Sequence, residues 1–181
     1  RMVPAGYGWR LLGLAALVGL QGAIGWWMVA SGLVDRTDVS HFRLATHLLT
    51  ALFLLAALVW TARDLALLAH DPAAPKARLT GAAIAAIAVL FVQLLLGAWV
   101  AGLNAGYVAS TWPSMNDHFV PEGIDWSRGA WFAFTNDPFL IHFLHRWWSW
   151  VAALTMLLVA RALARRGART EASLLLAVVA A

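Results

Sequence analysis

Two histidines and two arginines stand where such residues are costly. His47 and His145 lie near the starts of long apolar runs. Around the second, His142, His145, Arg146 and Ser149 recur at intervals of three and four, which places them on one helical face. Around the first, Ser40, Arg43, His47 and Thr50 fall on a comparable stripe. Ionisable groups inside an apolar span are expensive in lipid, so by default they face a bundle interior and mark a working site. Neutral imidazole is a good iron ligand, and heme iron in helical bundles is commonly held by histidines from different helices. Arg43 and Arg146 would supply donors for anionic propionates. The plainer reading of His47 is a bond to a neighbouring backbone carbonyl; the arginine one turn before it favours a ligand. His70, in a polar connection, reads as a surface residue, and His142 has no assignable role.

The elements that must hold these side chains are set by composition. Of 181 residues, 62% are hydrophobic and 12% charged, with a mean hydropathy of +0.73. Soluble domains are about 45–50% apolar and about 25% charged. The chain is therefore expected to be an all-α integral membrane protein. The net charge of +4 does not indicate nucleic-acid binding, because the basic residues sit in short segments between apolar runs, where they set orientation. With no cysteine, disulfides, thiolate metal sites and cysteine nucleophiles are excluded. Serine triads and glycine-rich phosphate loops are not supported, and no carboxylate is expected inside a span, which weighs against a proton pump or cation transporter.

Four complete spans are expected, over residues 11–34, 40–69, 79–103 and 138–159, and the start of a fifth over 172–181. Each complete run can cross a hydrocarbon core of roughly 30 Å. Asp38 or Ser40 is expected to cap the second helix and Pro138 to open the fourth. Residues 104–137 form a long connection whose tryptophans suit a membrane interface and whose length suits a short helix of its own. Arginines at 161, 165, 166 and 169, and three basic residues in 63–78, contrast with the acidic 35–39 and 104–137 segments. Charge thus places the N-terminus in the cytoplasm and both histidines near the outer face. The chain begins at Arg1 and ends inside an apolar run, and is expected to be a fragment of a longer protein.

A weak repeat runs through the chain. Gln21-x-x-x-Gly25-x-Trp27 matches Gln93-x-x-x-Gly97-x-Trp99, and each copy precedes a helix with a histidine near its start. The glycines permit close helix packing. Plain packing without ligand contact is the alternative for this face of the first span.

Five segments carry a resemblance to a known family. QGAIGWWMVASGL (Gln21 to Leu33), VSHFRLATHLL (Val39 to Leu49), GAWVAGLNAG (Gly97 to Gly106), STWPSM (Ser110 to Met115) and the His145-Arg146 pair resemble the heme A synthases, in the order and spacing of the alphaproteobacterial and mitochondrial branch. The resemblance implies two pseudo-symmetric four-helix bundles in the bacterial inner membrane, each with a pair of histidines near the periplasmic face. It implies oxidation of the C8 methyl of heme O to the formyl of heme A for cytochrome c oxidase. By that mapping residues 1–78 are the second half of the N-terminal bundle. Residues 79–181 are the first half of the C-terminal bundle, with 104–137 as a periplasmic loop. His47 and His145 become axial iron ligands whose partner histidines lie outside this chain, and Arg43 and Arg146 join them in cofactor binding. Heme b is the implied cofactor, placed in the second bundle, and heme O the substrate, delivered by a heme O synthase. A homo-oligomer is compatible with this reading, and the isolated chain is expected to be inactive. Two alternatives stand beside it: a cytochrome b-type electron carrier in which His47 and His145 share one heme, and a structural assembly subunit.

Overall fold

The computed structural model describes residues 4–33, 38–75 and 77–180. Val34, residues 35–37 of the acidic connection, Lys76 and the terminal residues 1–3 and 181 lie outside the described residues. Among those described, the regular structure is helical: α1 (Tyr7–Ala30), α2 (His41–His70), α3 (Gly81–Gly102), a 3-10 turn (Ala105–Tyr107), α4 (Ala130–Asn136), α5 (Pro138–Arg165) and α6 (Arg169–Ala180). The helices α1, α2, α3 and α5 are long and apolar enough to cross a membrane, and the chain is an all-helical integral membrane protein. Their outward surfaces are apolar, with Trp26, Phe53, Phe91 and Leu154 all exposed on the chain. Side chains of that kind are solvated by acyl chains rather than by a soluble core.

Contacts cluster into two compact units, residues 1–78 and 79–181. In the first, α1 and α2 form an antiparallel pair, as its polar cross-links show. Arg10 meets Asp64, Gln21 meets His47, Arg43 meets the Trp27 carbonyl, and the Ser40 amide donates to Ser31 Oγ at 2.9 Å. Ser40 stands at the N-cap of α2, yet its side chain makes no capping bond; the Ser31 hydroxyl takes its amide instead, so the expected side-chain cap is replaced by a tie between the two helix ends.

Asp64 corrects a further expectation. It is buried within α2, at 7% exposure, and pairs with Arg10 of α1 at 2.7 Å. A carboxylate is thus embedded in this long helix, neutralised by a partner that the sequence places 54 residues away. Removing one member of a buried pair strands the other, although the Arg10 side chain is 35% exposed and keeps part of its hydration. Asp64→Leu is expected to destabilise the α1–α2 pair by about 1–3 kcal/mol, with the Arg10→Leu/Asp64→Leu double variant recovering most of it. Thermal unfolding of the detergent-solubilised protein reads the difference, and a single variant as stable as the parent would show that the pair contributes nothing.

In the second unit α3 and α5 pack together, with η-turn, α4 and α6 joining α5. Trp148 Nε1 donates to the Val89 carbonyl at 2.9 Å and Gln93 meets His145, which sets the register. The start of α5 is built around Asp137, buried at 4% exposure. Its carboxylate accepts from the Leu140 amide at 2.9 Å and from the Asp125 amide at 3.0 Å. One side chain therefore caps α5 and pins the connection to it, with Pro138 at the first helical position as expected. Nearby, the exposed Asp125 carboxyl is held below the usual carboxylate range by the Ser127 hydroxyl and then by the Ser127 amide.

Candidate functional site

The same arrangement occurs once in each unit. In the first, the amide nitrogen of Gln21 lies 2.9 Å from His47 Nδ1. In the second, the amide nitrogen of Gln93 lies 3.2 Å from His145 Nδ1. The glycine one helical turn later completes each site. A Cβ built on Gly25 would stand 3.0 Å from His47 Cε1, and one on Gly97 would stand 3.1 Å from His145 Cε1. The imidazole edge is thus laid close against the neighbouring helix backbone, where any side chain would press on the ring.

The consequence for the ring is specific. Nδ1 meets the glutamine amide and Cε1 rests on the glycine. The His145 ring is also hydrogen-bonded with the Gln93 backbone. His47 Nε2 has only a 3.5 Å approach from the Gln21 amide, at the outer limit of a hydrogen bond.

The sites differ in their further bonds. The Gln21 amide also donates to the backbone carbonyl of His47 at 2.9 Å. Gln93 has no such second acceptor, and the side-chain oxygens of both glutamines are buried without a partner.

Both arginines are held by backbone and aromatic groups. Arg43 donates to the Trp27 carbonyl at 2.8 Å with its guanidinium 4.6 Å from the Trp27 ring centre. Arg146 donates to the Thr111 carbonyl and lies 4.7 Å from the Trp112 ring centre. The second nitrogen of the Arg146 guanidinium, Nη1, is buried with no partner, a donor left over for an anion. Thr111 and Trp112 belong to the STWPSM segment, so this motif acts as the seat of the arginine. Ser149 turns back to the Arg146 carbonyl at 2.6 Å and plays no part in the site. His142 Nδ1 is buried and unpartnered one turn before His145.

These residues fit a heme. Each imidazole meets its glutamine at Nδ1, and Arg146 carries a buried, unmatched donor suited to a propionate. No cluster of three or more histidine, cysteine or acidic residues able to hold a bare metal ion occurs among the described residues.

Sequence reasoning placed His47, His145, Arg43 and Arg146 on these faces. It did not see that Gln21 and Gln93 are the contacts of the histidines. The signal was present as the repeated Gln-x-x-x-Gly, but a repeat shows no partner until the helices are paired.

A family model described as cytochrome oxidase assembly protein, COX15-CtaA, matches residues 1–181. The heme A synthase of Sphingopyxis alaskensis is 81% identical over 181 residues, which is 100% of this chain and 51% of that protein. The heme A synthase of Erythrobacter litoralis is 61% identical over 161 residues, 88% of this chain and 48% of its own length. That of Rhizorhabdus wittichii is 57% identical over 169 residues, 93% and 48%. The chain spans about half the length of the curated relatives it matches. No solved structure matches it.

Proposed function

This chain belongs to the COX15-CtaA family of cytochrome oxidase assembly proteins, and from that membership we propose that it forms the central half of a heme A synthase. The full-length protein would oxidise the C8 methyl group of heme O to the formyl group of heme A, for cytochrome c oxidase. The observation that carries this reading is the duplicated site: a histidine held at Nδ1 by a glutamine and at Cε1 by a glycine, once in each unit. An enzyme that handles both a heme cofactor and a heme substrate needs two such seats.

On this reading His145 would hold a resident heme b and His47 would hold heme O. Arg146 and Arg43 would anchor the propionate side. A heme held there would supply redox chemistry. What the chain itself supplies is position. Gln93 and Gly97 position the His145 ring, Gly25 supports the His47 ring that Gln21 engages at Nδ1, and the apolar walls of the helices keep bulk water away. Heme O would arrive from a heme O synthase within the bacterial inner membrane, and the histidines would lie near the periplasmic face, as the charge asymmetry of the connections supports.

The electron-carrier alternative is not favoured, because relatives matching all or most of the chain are heme A synthases. The test is conversion. Full-length protein expressed with heme O available should yield heme A or a hydroxylated intermediate on extraction and mass analysis. Recovery of heme O alone, from protein with both histidines intact, would refute the reading.

A further inference from the structure

The two sites are alike in residues and unlike in the freedom of one amide. Heme ligation through Nε2 uses the neutral tautomer that carries its proton on Nδ1, and an acceptor beside Nδ1 favours it. At His145 that acceptor is within reach. The Gln93 nitrogen faces Nδ1 while its oxygen is buried with no partner, and nothing else holds the nitrogen. A half-turn of the amide brings Oε1 onto Nδ1–H and satisfies both groups. At His47 the amide is not free to turn. Its nitrogen donates to the His47 carbonyl at 2.9 Å, and reversing it would set two oxygens against each other. The same nitrogen lies 2.9 Å from Nδ1, which makes Nδ1 the acceptor and puts the ring proton on Nε2.

We propose that Gln93 and Gln21 are positioning residues that make the two histidines unequal ligands, Gln93 preparing His145 to bind iron firmly and Gln21 holding His47 in the tautomer that binds it weakly. The inference rests on the heme reading given above and deepens it. A strong ligand suits a resident cofactor, because a hydrogen-bonded Nδ1–H raises the basicity of Nε2. A weak one suits a porphyrin that must leave as product, since ligation at His47 proceeds only at the expense of the Gln21 lock. The difference lies in the contacts around each ligand, not in its identity.

The experiment uses the full-length protein, with each site isolated by removing the other histidine, and hemin as the titrant. In the His47→Ala background, Gln93→Leu should weaken heme binding at His145 by about 10- to 100-fold. Gln93→Glu, which keeps the shape and accepts from Nδ1–H more strongly, should retain the heme and move its midpoint potential to more negative values. In the His145→Ala background, Gln21→Leu should leave heme binding at His47 equal to or tighter than in its parent, because the lock is gone. The inference is overturned if the Gln93 variants match their parent in affinity and potential, or if Gln21→Leu weakens its site as much as Gln93→Leu weakens the other. Should Gln93→Leu fail to accumulate in membranes, the potential of Gln93→Glu decides, and an unchanged value overturns it. Protein with both histidines that binds no heme would instead defeat the functional reading itself, so the two failures are distinct.

Discussion

Full-length protein carrying His145→Ala is expected to lose the heme of its second unit altogether. On the proposed assignment the alanine would remove the iron ligand and leave the Gln93 amide and the Gly97 surface without the ring they face. Substituting residues that merely orient a metal ligand costs about 10- to 100-fold, so losing the ligand should exceed that range. Heme content by pyridine hemochrome and the visible spectrum of the purified protein read it directly. His47→Ala should behave differently: the second-unit heme and its spectrum stay, while conversion of heme O to heme A falls by a comparable factor. If either single variant kept both its heme content and its conversion, the assignment of that histidine would be wrong. Because each histidine is seated within its own helix pair, the two losses should be separable.

Enlarging the glycines is the second large effect. In Gly97→Val the new Cβ would begin 3.1 Å from His145 Cε1, and in Gly25→Val 3.0 Å from His47 Cε1, before its two methyl groups are counted. The ring is the mobile partner in both cases, so it will be driven off the helix and out of reach of its glutamine. Overpacking of this kind costs about 1–3 kcal/mol, and β-branching adds little to that inside a helix. The functional loss should be larger than the stability loss, since a ligand displaced by an ångström no longer meets its iron. Gly97→Ala should fall between, as the ring gives by a few tenths of an ångström. Heme titration beside thermal unfolding separates the two quantities. Valine variants with normal heme affinity would show that the contact with the ring is incidental.

The spans were legible because hydropathy integrates over twenty residues and lipid demands that length. The expected 79–103 and 40–69 lie within two residues of α3 and α2 at each end. The ends of the others were not legible from hydropathy. Helix α5 runs on to Arg165, past the expected 159, because alanine, leucine and arginine continue a helix after the apolar run has stopped. Helix α1 begins at Tyr7, ahead of the expected 11, since Arg10 is neutralised by Asp64 and need not mark a boundary. Asp64 was misread for the same reason: a charge was counted as part of a connection when its partner sits on another helix.

The candidate site was half legible. Histidine and arginine announce themselves inside an apolar run by their cost. Glutamine announces itself less, and its partner depends on how two helices rotate against each other, which periodicity along one helix does not contain. The STWPSM segment was visible as a motif, but its use, a carbonyl and an indole that hold Arg146, is a matter of tertiary fold.

Trp112 lies 5.7 Å from Trp147 and 6.4 Å from Trp150, ring centre to ring centre, and Arg146 joins this cluster to the helix of His145. Indoles emit where porphyrins absorb. A tetrapyrrole docked at His145 would therefore darken the intrinsic fluorescence of this cluster, and its departure would restore the light. The aromatic packing that fastens the connection to α5 thereby gives the protein a native optical gauge of occupancy, readable in a cuvette without a label.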